Sequence, residues 1–192
     1  MAHVTERGEN PYAIGVGTDE IVAELGSFAL SNGAPIGELT TMERLVLFQG
    51  SFGLIASDVA GVLQTTGEAT AQTEDVDTAR KALIVKFDVP NFAAAVCQAI
   101  ELKYLPVDLT DEPEISSRIT NRDRFVIDSF RKGKSTNQVK TALGKSIGQT
   151  KEVGKRLLAY TFTKTKADGR THLVRRSYEL GVEITHNVTL SS

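Results

Sequence analysis

The feature that most restricts how this chain can fold is an internal repeat. Residues 39–63 (LTTMERLVLFQGSFGLIASDVAGVL) lie over residues 119–143 (ITNRDRFVIDSFRKGKSTNQVKTAL) at an offset of 80. Leu39 then meets Ile119, Thr40 meets Thr120, Glu43 meets Asp123 and Arg44 meets Arg124. Further on, Val46 meets Val126, Leu47 meets Ile127, Val59 meets Val139 and Leu63 meets Leu143. Each copy opens with an apolar residue, a Thr and a carboxylate three residues later, the pattern of a capping box that starts a helix. Each continues as a short amphipathic helix, a glycine-containing turn and a second short helix. Similarity at a fixed offset means one structural unit used twice.

The rest of the chain reads around these two segments. Residues 1–18 are polar and Gly-rich and form an arm. Ile21, Val22, Leu25, Phe28 and Ala29 predict a helix over Asp19–Leu30, with Thr18 as N-cap and Ser31-Asn32-Gly33 as its stop. VDLTDEPEISS, residues 107–117, is polar, acidic and broken by Pro113, which marks the linker between the repeats. After Leu143, a turn leads to a helix over about Gln149–Thr163, with Val153, Leu157, Leu158 and Phe162 on its buried side. Its end, rich in β-branched Thr161, Thr163 and Thr165, is expected to fray. The expected fold is all-α, two tandem four-helix units behind an N-terminal arm and helix. Their bounds are 1–36, 37–108 and 115–185, with a frayed tail, HNVTLSS.

Charge divides the chain in the same place. Residues 1–110 carry 6 Lys+Arg against 15 Asp+Glu, whereas residues 115–192 carry 16 against 6. A net charge of −2 therefore conceals an acidic half and a strongly basic one. Such asymmetry is the footprint of a segment that meets a polyanion.

The pattern Thr-x-x-(Asp/Glu)-Arg-x-Val-(Ile/Leu), then Gly-x-Ser, an aliphatic residue and a Leu, resembles the LuxR/GerE-type helix-turn-helix. In the second copy Thr120, Arg122, Asp123, Arg124, Val126, Ile127, Gly133, Ser135, Asn137, Val139 and Leu143 carry it. Gly169 through Gly181 supplies a fourth helix. In the first copy Ile84, Phe87, Val89-Pro90-Asn91-Phe92, Ala95-Val96 and Ala99-Ile100 close the unit in the same way. The resemblance implies DNA binding by the second copy, and dimerisation through its last helix, Arg170–Leu180, on a two-fold symmetric site. The stretch Gly144–Gln149 is slightly longer than that family's turn. The first copy departs further, with an insertion, TTGEATAQ (residues 65–72), before a third helix bearing Glu74, Asp75 and Asp77. Carboxylates there would repel phosphates, so the first copy is read as this shape turned to protein contact.

The candidate DNA contacts follow from helix faces. Gln149, Thr150, Lys151, Lys155 and Arg156 fall opposite the buried side of the third helix, in reach of base edges and phosphates. Lys134, Ser135 and Asn137, at the start of the preceding helix, could position the phosphate backbone. Lys164, Lys166, Arg170 and Thr171 would add phosphate contacts near the last helix.

Other chemistries find little footing. Gly133-Lys134-Ser135 and Gly144-Lys145-Ser146 resemble the end of a P-loop, but Asp128 and Val139 stand where its first glycine belongs. Gly15-x-Gly17 lacks a third glycine. His3, His172, His186 and Cys97 show no metal spacing, and no nucleophile–base or paired-carboxylate arrangement stands out. Neither catalysis, a metal nor a cofactor is expected. Cys97 reads as a small core residue, and Phe48, Phe52, Phe125 and Phe130 sit at core spacing. One cysteine and no apolar stretch approaching ~18 residues fit a cytoplasmic protein rather than a membrane one.

The leading expectation is thus a transcriptional regulator that binds double-stranded DNA as a homodimer. Its acidic unit would meet a second subunit, the basic copy of a neighbour, RNA polymerase or another regulator. The alternatives are a DNA-packaging or maintenance adaptor of the small-terminase type from a phage or mobile element, and a protein-only anti-activator.

Overall fold

The computed structural model describes residues 18–31, 39–68 and 70–183. The N-terminal arm, the expected Asn32-Gly33 stop and the HNVTLSS tail lie outside them. Among the described residues the fold is all-α, with ten helices and no strand. Helix α1 (Thr18–Ser31) packs on the first member of a set of four, α2 (Thr41–Ser51), α3 (Ala56–Thr66), α4 (Thr73–Lys86) and α5 (Phe92–Glu101). A single turn of helix, α6 (Pro113–Ser116), separates these from α7 (Asn121–Arg131), α8 (Thr136–Ser146), α9 (Lys151–Thr165) and α10 (Arg170–Glu179).

The repeat is visible in the helices themselves. The first pair in each set has 11 residues per helix, and the last helix in each has 10. Helices α2 and α3 precede α7 and α8 by the same 80 residues seen in the sequence. For α5 and α10 the offset is 78, because the α3–α4 connection is longer than the α8–α9 turn. Both expected capping boxes form. Thr40 accepts from the Glu43 N–H while Glu43 accepts from the Thr40 N–H, and Thr120 and Asp123 do the same. Each satisfies two N–H groups that a helix start leaves without partners.

Both capping carboxylates do a second job. Lys86, in the last turn of α4, reaches Glu43 at 2.7 Å, and Lys164, in the last turn of α9, reaches Asp123 at 2.5 Å. The third helix of each set is thereby tied to the first. Burial alone would raise the Asp123 carboxyl. The bonds from Lys164, Thr120 and Thr161 outweigh it and hold the group below the ordinary aspartate range. Glu43 is likewise raised by burial and lowered further by Lys86 and Thr40.

The two sets share one continuous hydrophobic core, with Leu45, Leu63 and Leu83 from the first and Ile127, Phe130, Leu143 and Leu173 from the second fully buried. Their junction is reciprocal. Helix α5 packs on α10, α5 also packs on α7, and α10 on α2. The turns obey the same exchange. Gly53, at φ +87°, brings the α2–α3 turn against His172, and Gly133, at φ +73°, brings the α7–α8 turn against Pro90. A Cβ on Gly133 would lie 2.2 Å from Pro90 Cγ, and the Asn91 side chain donates to the Gly133 carbonyl at 2.6 Å. Swapping the sets maps each of these helix contacts onto its counterpart, as in an isologous two-fold interface, here within one chain.

This arrangement revises the expectation for the last helix. Leu173, Val174, Arg175 and Ser177 of α10 are buried inside the chain. Arg175 donates to Ser51 of α2 at 3.0 Å and lies over the Phe52 ring, 4.1 Å from its centre. Arg131 of α7 donates to Ser177 and stacks on Tyr178. The surface that the resemblance assigns to a second chain is occupied by the first four-helix set. The linker, too, is fastened to α10. Thr110 N–H donates to Glu179 O, Ser116 Oγ to Leu180 O, and Arg176 to Glu112.

Candidate nucleic-acid interface

Helix α9 is held against α8 by an absence of side chains. A Cβ on Gly154 would stand 1.9 Å from the Lys140 carbonyl oxygen, and one on Gly144 would stand 2.4 Å from the Thr150 carbonyl oxygen. The two backbones therefore touch, and the α8–α9 turn (147–150) is clamped at both ends. Gly148 supplies the left-handed residue at φ +64° that lets the Gln149 N–H return to the Gly144 carbonyl at 2.8 Å.

The buried stripe of α9 is one position away from the expected one. Gly154, Leu158, Thr161 and Thr165 are buried, whereas Val153, Leu157 and Phe162 are only half-covered. Two of the three threonines expected to fray the helix, Thr161 and Thr165, instead anchor its end, while Thr163 is exposed. Thr161 Oγ1 donates to Asp123 Oδ1 at 2.7 Å, and Thr165 Oγ1 donates to the Thr161 carbonyl at 2.8 Å. A β-branched hydroxyl loses its helix penalty when the site is buried and the hydroxyl is bonded.

Opposite that stripe the helix is open. Gln149 and Thr150 in the turn, and Lys151, Lys155 and Arg156 in the first half of α9, are all exposed. Among the described residues none of these three cations forms an ion pair. Glu152 is the only carboxylate on α9. Lys145 is exposed in the last turn of α8, and Tyr160, 63% exposed, stands one turn beyond Arg156 with Lys164 over its ring. Both were passed over in the sequence. Tyr160 stands four residues beyond Arg156 and was legible by helical spacing alone.

The other expected contacts are spread out. Lys134, Ser135 and Asn137 are exposed at the start of α8. Ser135 is already committed, since its N–H donates to Gln138 Oε1 at 2.7 Å and its hydroxyl accepts from the Gln138 N–H. Lys134 lies over the Phe125 ring. Arg170 and Thr171 are half-buried where α10 meets the first set, and Lys166, at the end of α9, pairs with Glu112 at 3.2 Å. Lys164 needs the clearest correction. Its side chain is 10% exposed and bound to Asp123, with the Arg118 carbonyl as a second acceptor. It is a tie between helices, not an open cation.

The equivalent surface of the first set has the opposite character. Helix α4 exposes Glu74, Asp75 and Asp77. Of its three cations, Arg80 turns to the Leu54 carbonyl at 2.7 Å and the Phe92 ring, and Lys86 is paired with Glu43, which leaves Lys81.

No helix among the described residues is long and apolar enough to cross a membrane. Compared with known proteins, the chain matches no family model, no curated protein and no solved structure.

Proposed function

We propose that this chain is a sequence-specific DNA-binding regulator that reads duplex DNA with the outward face of α9. The observation that carries the reading is the set of exposed cations Lys151, Lys155 and Arg156, unpaired among the described residues, on a helix held rigidly behind its own turn. A helix of this width fits the major groove, where long side chains from its first half reach base edges. Gln149 and Thr150 present hydrogen-bonding groups beside them, and Lys145 and Lys134 supply flanking charge for phosphates. The last helix is engaged within the chain, so each chain brings one reading helix to DNA, and a homodimer on a two-fold symmetric site uses a contact other than α10. The acidic first set is a protein-contact surface.

Selection from a randomised duplex pool tests this. The wild-type chain enriches a defined sequence, and Lys151→Ala or Lys155→Ala changes which sequence is enriched. An unchanged preference in both variants would remove α9 as the reading helix. A wild-type chain that binds no duplex even at about 50 mM salt, where neutralising several phosphates is strongly favourable, would make it a protein-only adaptor.

A further inference from the structure

The DNA reading uses α9 and leaves α4 unemployed. The two helices are counterparts in the repeat, 78 residues apart, yet the balance of their exposed charges is reversed. On α4 it is Glu74, Asp75 and Asp77 against Lys81, with Lys86 tied to Glu43, and on α9 it is Lys151, Lys155 and Arg156 against Glu152. Thr73, Asp77 and Thr78 stand on α4 where Lys151, Lys155 and Arg156 stand on α9. Each face also exposes one large apolar side chain, Val85 at 77% on α4 and Tyr160 at 63% on α9.

We propose that the outward face of α4 docks on the outward face of α9 of a second copy of this chain. The occupant of the α4 face must supply cations, and α9 of a second copy supplies Lys151, Lys155 and Arg156. The pairing is between copies. Within one chain α4 packs on α2, α3 and α5, while α9 packs on α7, α8 and α10. Two copies can exchange both contacts and close as a two-fold dimer, or each can use a separate neighbour and grow into a ring or filament. The charges involved are exposed, so the contact is weak and sensitive to salt. Duplex DNA competes for the same α9 face, which makes self-association and DNA binding mutually exclusive. The inference does not depend on the DNA reading and is measured without nucleic acid.

Sedimentation of the full chain over rising concentration tests it, at about 50 mM and about 500 mM salt, where screening differs severalfold. At low salt the mass should grow beyond the 20.8 kDa monomer, and at high salt it should return to that value. Two charge-reversed variants sharpen the test, one with Glu74→Lys and Asp77→Lys, the other with Lys151→Glu and Lys155→Glu. Each alone should stay at the monomer mass, because its α4 and α9 faces then carry the same sign. An equimolar mixture should regain growth, because each variant's faces complement the other's. All four positions are exposed, and helical circular dichroism verifies that both variants are folded. A chain that remains at 20.8 kDa at every concentration overturns the proposal, as does growth that survives in either variant or resists salt. Loss of DNA binding, by contrast, leaves the sedimentation result standing.

Discussion

Lys164→Met separates a structural lysine from a DNA-contacting one. Met keeps the length of the stem and removes the charge. The substitution leaves Asp123, 2% exposed, without its counter-charge. Removing one member of a buried pair costs about 3–5 kcal/mol when nothing else compensates. Here Asp123 keeps three donors, the Thr120 N–H at 2.9 Å, the Thr120 hydroxyl at 2.7 Å and the Thr161 hydroxyl at 2.7 Å. The cost should therefore fall at the lower end, about 3 kcal/mol, or a drop in Tm of about 6–12 °C for a chain of this size. Lys86→Met in the first set is the internal control. The Lys86 side chain is 37% exposed, so screening reduces its contribution to about 1 kcal/mol or less.

Acid should narrow the difference between Lys164→Met and the wild type. The folded-state pKa of Asp123 is depressed, so its contribution is full above the unfolded value near 3.9 and is lost as pH falls through the folded one. Thermal unfolding followed by circular dichroism at pH 7 and at about pH 3 measures both effects. A Lys164→Met chain as stable as the wild type at pH 7, but with a shallower salt dependence of DNA binding, would refute the reasoning. It would return Lys164 to the role the sequence suggested.

Two glycines and one histidine give further tests. Gly154→Ala drives a Cβ into the Lys140 carbonyl and should destabilise the chain by about 3 kcal/mol or more, with loss of DNA binding, because neither backbone can yield cheaply. Gly61→Ala, in exposed α3 with nothing within 4 Å of the new Cβ, should stabilise by up to about 1 kcal/mol in the same thermal assay. Burial lowers the pKa of His172, and Arg176 adds to this, against the opposing pull of Asp168 and Glu179. The folded-state pKa lies below the unfolded one, so stability is full above the unfolded value and declines as pH falls from about 6.5 through the folded pKa. His172→Asn should flatten that decline, as read from unfolding midpoints between about pH 5 and pH 7.5.

What the sequence disclosed was what local rules control. Capping boxes, helical spacing and a glycine in a turn act over a few residues, so the repeat and some helix bounds could be read directly. Helix α1 and the starts of α2 and α7 followed from the same rules. The junction of the two sets could not, because pairing α5 with α10 is a choice among several apolar faces and leaves no local mark. The register of α9 was misread for a related reason. Gly154, Thr161 and Thr165 do not score as apolar, yet they form its buried stripe because backbone contact needs a glycine and Asp123 needs a hydroxyl. The Lys164 tie did leave a signal. Glu43 with Lys86, and Asp123 with Lys164, occur at matching places in both copies, and a cation kept in the acidic copy has no phosphate to meet.

The most direct measurement is the salt dependence of duplex binding by the full chain and by a variant carrying Lys151→Ala, Lys155→Ala and Arg156→Ala. Each cation that holds a phosphate contributes about 0.9 to the slope of log affinity against log salt. If the outward face of α9 is the DNA-binding surface, the variant should lose most of its affinity, and the slope should flatten by roughly 1 to 3 units as these contacts disappear. A variant that binds as tightly as the wild type, with the same slope, would place the DNA-binding surface elsewhere on the chain.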